Sequence, residues 1–157
     1  MNKLITGIAL FIGLNTAAFA ESLQVVTYSD VTVPQTVDIM PSGPSVGDMV
    51  VRQGSVRSSI GGPVIGEYFM TATIIYVSDD LEKTARSYVM EEIYPDGSIY
   101  SMDVVQMNHG GPAKEGHQNE AAIIGGTGKY AGIRGSYALE VLDDGIAKKT
   151  KTYWLGQ

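Results

Sequence analysis

The sequence predicts an all-β protein, a single eight-stranded antiparallel β-barrel. Three observations point there. About eight β-rich runs follow one another, joined by short turns rich in Gly, Pro and Asp, the spacing of an antiparallel sandwich or barrel. No window beyond the first twenty residues sustains the apolar period of a helix. The last run can pair with the first and so remove both sheet edges, which favours closure.

Met1–Ala20 reads as a cleavable secretory signal peptide. Lys3 supplies the positive start, Leu4–Leu14 is an apolar run, and Ala18-Phe19-Ala20 is a small-x-small site for cleavage after Ala20. The apolar run is too short for a spanning helix, which needs about 20 apolar residues. The expected product is a secreted or periplasmic chain, with one domain over residues 21–157. With no Cys there is neither a disulfide framework nor a lipid attachment site after the signal. The formal charge of −6 and the lack of a basic run exclude nucleic acid, and exclude a membrane partner once the signal is removed.

In chain order, Leu23–Tyr28 is the first β-rich run. Ser29–Val46 carries three prolines and reads as a loop with an edge strand at Thr32–Val37. Asp48–Val56 is a strand with Gly54 as a bulge, and Gly66–Val77 is long and β-prone. A helical turn is expected at Leu81–Lys83. Pro95-Asp96-Gly97 between Ala85–Tyr94 and Ser98–Met107 signals a hairpin. Asn108–Gln118 is a polar, Gly-rich loop. Arg134–Leu142 and Ala147–Leu155 close the chain around an Asp-Asp-Gly turn.

The chain is densest in glycine at Ile123–Gly135 (IIGGTGKYAGIRG), with five glycines in thirteen residues. Such density suits backbone that needs φ > 0 or very close approach. Gly128-Lys129 invites a phosphate-loop reading. That loop requires GxxxxGK[ST] opening a helix, whereas Tyr130 follows Lys129 here and Gly132 and Gly135 interrupt any helix. A structural turn is the better account, and no cofactor is expected. His109, Glu115 and His117 share a Gly-Gly-Pro loop that does not hold ligands in fixed geometry, so no metal is expected. No nucleophilic triad is visible.

The stretch GGTGKYAGIRG resembles the signature of the allene oxide cyclase and dirigent protein superfamily. The matching residues are the Gly125-Gly126-Thr127-Gly128 turn, the aromatic Tyr130 and Gly132-Ile133-Arg134-Gly135. Glu120 fits the dirigent pattern, and Gly47–Gly54 (GDMVVRQG) is similar to an element of plant allene oxide cyclases. The resemblance covers roughly Val46 to Leu155. It implies an eight-stranded barrel with an apolar lumen, and chemistry in which shape and one placed charge steer a reactive small molecule through cyclisation. It also implies a homo-dimer or homo-trimer. The acid that opens the epoxide in plant cyclases has no clear counterpart here, Asp30 and Asp38 being merely in the right part of the chain. The position of a lumen cysteine falls on Tyr68, so epoxide chemistry is not implied.

Alternation then sorts the faces. Tyr68, Met70, Ala72, Ile74 and Tyr76 share one face, which is the more apolar and includes the matched position, and is expected inside. The hairpin match turns the Ala85, Ser87, Val89, Glu91, Ile93 face inward, and Asp103 and Val105 with it. The expected site is therefore Arg134, Glu91 and Asp103 as acid/base or electrostatic groups, with Tyr68, Met70, Ile74, Arg52 and Val89 against substrate. A carboxylate inside an apolar barrel has its pKa raised unless a cation is near, and Arg52 and Arg134 are the candidate cations. Against this stands the rule that charged residues on barrel strands face water. The expected function is a cyclase- or isomerase-type barrel acting on an apolar polyketide-, terpenoid- or lipid-like molecule. The alternatives are a non-catalytic barrel that carries a hydrophobic small molecule and a structural barrel with a filled core.

Overall fold

The computed structural model describes residues 22–39, 42–108, 116, 118–142 and 145–155. Residues 1–20, and the loop residues His109, Glu115 and His117, lie outside the described residues.

Among the described residues, nine strands form one antiparallel sheet: β1 (Leu23–Asp30), β2 (Gln35–Val37), β3 (Met49–Arg57), β4 (Val64–Val77), β5 (Lys83–Tyr94), β6 (Gly97–Asn108), β7 (Gln118–Gly126), β8 (Arg134–Val141) and β9 (Ile146–Trp154). Their order is β1-β9-β8-β7-β6-β5-β4-β3-β2, and a further β1–β3 pairing, Tyr28 opposite Arg57 and Ser29 opposite Val56, closes eight of them into a barrel. The expected pairing of the last strand with the first runs the whole length of β1, from Leu23 opposite Tyr153 to Asp30 opposite Ile146. The extra strand β2 lies along the start of β3. In this circle β5 and β9 stand on opposite walls.

The glycine-rich stretch closes one end of the barrel. Leaving β7, the chain makes a single 3-10 turn at Gly128–Tyr130 and enters β8. That turn packs on the β5–β6 hairpin, with Thr127 N–H donating to Ser98 O (2.9 Å) and Lys129 N–H to Asp96 O (2.8 Å). Gly128 sits at φ +56°, and a Cβ there would fall 2.3 Å from Asp96 O; a Cβ on Gly97 would fall 2.1 Å from Thr127 O. Two backbones touch where no side chain fits, which is why this turn needs glycine.

Three local expectations change. The register of β3 against β4 shifts between Val56 and Arg57, where Ile65 of β4 is the extra residue, and not at Gly54. Gly54 instead makes room for the Tyr68 ring, since a Cβ there would lie 2.7 Å from the ring. Leu81 adopts φ +61° in a bend leading to β5, so no helical turn forms at Leu81–Lys83. A register shift between Ile74 and Tyr76 turns Tyr76 out to solvent, away from the inner face it was expected to share.

Candidate functional site

The barrel encloses a cavity of about 120 Å³. Its apolar wall includes Val50, Met70, Met90, Tyr137, Leu139 and Val141. On β4 the even-numbered residues point inward as expected, with Tyr68, Ala72 and Ile74 buried. Tyr68 reaches across to β1, where its hydroxyl donates to the Asp30 carbonyl (2.8 Å). Met70 and Arg52 also line the cavity, while Ile74 is buried in the same wall without lining it.

The β5 face is the reverse of the one expected. Arg86, Tyr88, Met90 and Glu92 point into the barrel, whereas Val89 and Ile93 are exposed on the outside. Glu91 lies on that outer face and accepts a hydrogen bond from the Tyr100 hydroxyl (2.8 Å). The cause is one residue of register. The hairpin turns through Pro95-Asp96 with Tyr94 opposite Gly97, so odd-numbered residues of β5 stand opposite even-numbered residues of β6. A three-residue turn would have set Glu91 and Asp103 on one face, and a one-residue slip inverts the face. Asp103 does line the cavity, opposite Tyr88 and bonded by the Asn119 side-chain amide. Arg134 stays on the exterior, its guanidinium donating to the Ile133 carbonyl at the glycine turn (2.6 Å). Glu91, Val89 and Arg134 thus do not reach the cavity; Arg52, Tyr68, Met70 and Asp103 do.

The residues that sequence reasoning missed are the most deeply buried charges. β9 alternates strictly, turning Ala147, Lys149, Lys151 and Tyr153 inward. Lys149 and Lys151 are each 2% exposed, and Glu92 on the facing wall is 1% exposed. Lys149 Nζ lies 2.9 Å from Glu92 Oε1 and Lys151 Nζ lies 2.6 Å from Glu92 Oε2. The Tyr94 hydroxyl donates to Glu92 Oε2 (3.0 Å), and Lys151 also donates to Thr27 Oγ1 (2.8 Å). Lys149 sits 4.7 Å above the Tyr68 ring, a cation–π distance. Burial alone would raise the Glu92 pKa, but the two ammonium groups outweigh it and hold the carboxyl down to about 2. Burial lowers the pKa of Lys151 against the pull of Glu92. Glu92 therefore stays ionised at neutral pH, as a counter-ion rather than a proton donor.

This brace divides the interior. Lys149 borders the cavity, while Lys151 borders a wider cleft of about 460 Å³ beneath the hairpin, walled by Tyr94, Tyr130, Tyr153 and Ile65. On the cavity side, burial pushes the Tyr88 phenol upward in pKa, while Arg86 and Arg52 pull it down. Arg52 Nε and Arg86 Nε are buried without a hydrogen-bond partner. No cluster of His, Asp and Glu that could hold a metal occurs among the described residues.

A closed eight-stranded antiparallel barrel with one extra strand defines a class of all-β barrels. Within that class, the model of the allene oxide cyclase barrel like domain matches residues 27–151, and the chain belongs to this family. No curated protein matches the sequence. Among solved structures, a pyocyanin demethylase is similar at 18% identity and a TM-score of 0.64, over 83% of this chain and 99% of that one. A pterocarpan synthase dirigent protein is similar at 16% identity and 0.58, over 99% and 100%. The Diels-Alderase AbmU from Streptomyces koyangensis is similar at 13% identity and 0.61, over 89% and 71%. At such identities the likeness establishes the shared fold.

Proposed function

We propose that this barrel binds an apolar small molecule in its lumen and steers it through a cyclisation or isomerisation. The observation that carries the reading is the cavity inside the barrel, whose methionine and aliphatic walls are interrupted by the charged side chains Arg52, Arg86, Asp103 and Lys149. Apolar walls select a folded conformer of a flexible guest, and bringing its reacting ends together removes much of the entropic barrier. Lys149, fixed by Glu92 and by the Tyr68 ring, presents a positive charge where an oxygen gains electron density. Asp103, held by Asn119, is the group placed to exchange a proton with the guest. Family membership and the cyclase and dirigent neighbours support this reading. We also propose that residues 1–20 are removed on export, so that the mature protein begins at Glu21 in the periplasm or outside the cell; its intact mass tests this.

The carrier reading shares the cavity and differs in the chemistry. Native mass spectrometry of protein purified from its source should show one co-purified small molecule, absent from Met70→Trp, which fills the cavity. Incubation with that molecule's linear precursor should release a rearranged product, at a rate lowered by Lys149→Met or Asp103→Asn while binding persists. Release of the guest unchanged identifies a carrier. No guest, together with no thermal shift from apolar probes, identifies a filled structural barrel.

A further inference from the structure

We propose that the lumen guest carries an oxyanion, a carboxylate or an ionised enol, held by Arg52 and Arg86. The inference deepens the lumen-binding reading and rests on it.

The argument begins with charge. The whole chain is formally −6, so a positive interior is not a by-product of composition. Yet four cationic side chains, Arg52, Arg86, Lys149 and Lys151, face the inside of the barrel against two carboxylates, Glu92 and Asp103; Asp30 also borders the cavity, but its carboxylate is half exposed and turned to Arg57. Glu92 is fully engaged, with one oxygen on each lysine and the Tyr94 hydroxyl besides. Asp103 is engaged by Asn119. Neither arginine comes within 4.0 Å of a carboxylate oxygen among the described residues.

Hydrogen bonding says the same. Both arginines line the cavity, and the Nε–H of each is buried with no acceptor. Leaving a buried donor unmade is unfavourable, so such groups call for an explanation such as an unfilled ligand position. Asn119 Oδ1, on β7, is a further buried acceptor without a partner at the cavity, which suits a guest that also brings a hydroxyl or N–H. A guanidinium offers a planar fork that matches a carboxylate or a delocalised enolate. Val50, Met70, Met90, Leu139 and Val141 make much of the remaining wall apolar, which suits an acid with an apolar body.

Two isosteric probes test this on the full-length protein: 4-phenylbutanoate and its neutral amide, 4-phenylbutanamide, titrated by calorimetry. The acid should bind at least about tenfold tighter than the amide, the margin of a charge-assisted bond over a neutral one. In Arg52→Met/Arg86→Met the acid should fall to the amide's affinity, while amide binding is unchanged and shows that the variant is folded. Arg52→Lys/Arg86→Lys should restore part of the preference. Equal binding of acid and amide to the wild type would overturn the oxyanion proposal and leave the lumen reading standing. A preference for the acid that survives the double methionine variant would overturn it too, by placing the anion elsewhere. If neither probe nor neutral butylbenzene binds, the lumen reading itself fails, and this inference with it.

Discussion

Inside the barrel, Glu92 sets one carboxylate oxygen on Lys149 and the other on Lys151, whereas Arg52 and Arg86 face the cavity with buried Nε atoms that nothing in the described residues accepts. Both regions place cationic side chains in a low-dielectric interior. In the brace every ion has a partner from the facing wall, so it behaves as part of the core. The arginines have the Tyr88 phenol beside them, but among the described residues no carboxylate lies within ion-pair reach and no acceptor meets either Nε–H, which is how a site waiting for a ligand differs from one built for structure. Buried charges therefore have to be judged by their partners as well as by their burial.

The largest effect should come from breaking the brace. Glu92→Gln keeps the shape but leaves two buried ammonium groups without a counter-charge. Removing one partner of a buried ion pair costs about 3–5 kcal/mol. Chemical denaturation should show a loss of that size. A loss no greater than that of a surface substitution would mean the brace is not an integral part of the core.

Acid should produce a similar effect without a mutation. Glu92 has its folded pKa held down to about 2, below its ordinary 4.5. A depressed carboxylate contributes stability that is present above the unfolded value and lost as pH falls through the folded one. From this group alone, on the order of 3 kcal/mol should disappear as pH falls from about 4.5 to about 2. The difference between wild type and Glu92→Gln in denaturant midpoint across that window measures it, since Asp48 and Asp80, whose pKa values are also lowered, respond alike in both.

How much of this was legible in the sequence follows from what kind of contact is involved. The strands, the β1–β9 closure and the glycine turn were legible because they rest on local signals: β-rich runs, turn residues, and positions where only glycine fits. The inner face of β4 was legible because its two faces differ in polarity. β9 offered no such contrast. Ile146, Lys148, Thr150 and Thr152 alternate with Ala147, Lys149, Lys151 and Tyr153, and a lysine stands on each face. Only Glu92, 57 residues before Lys149 and on the opposite wall from both lysines, decides which face turns inward. Glu92 rather than Glu91 faces inward because the turn length at Pro95-Asp96-Gly97 sets the parity of two strands, and sequence does not distinguish a two-residue from a three-residue turn there.

The arginines should behave oppositely to the brace. Arg52→Met and Arg86→Met each remove a buried donor that has no partner and leave an apolar side chain of similar length. Stability of the unliganded protein should stay level or rise by about 1 kcal/mol, the order of an unmade hydrogen bond relieved. A loss comparable to that of Glu92→Gln would show that the arginines have partners in the folded protein, and the contrast between the two regions would collapse.

The smallest effect is expected at Tyr68, which touches both regions. Its ring lies under Lys149 and its edge lines the cavity, while its hydroxyl bonds the Asp30 carbonyl. Tyr68→Phe keeps the ring face, and with it most of the attraction for the ammonium, and deletes the bond to β1 together with a longer contact to Thr32 Oγ1 (3.4 Å). The loss should be below about 1 kcal/mol, the net worth of one hydrogen bond. The same substitution made in Glu92→Gln sharpens the point. If the ring supports Lys149 through its π face, the Tyr68→Phe and Glu92→Gln effects should add, because the phenylalanine ring still faces the ammonium. If the hydroxyl instead fixes the ring so that Lys149 can reach Glu92, the double variant should lose less than the two single losses together. A double-mutant cycle by chemical denaturation distinguishes these outcomes. A clear coupling would make Tyr68 part of the brace; its absence would leave Tyr68 as a cavity wall that the brace merely touches.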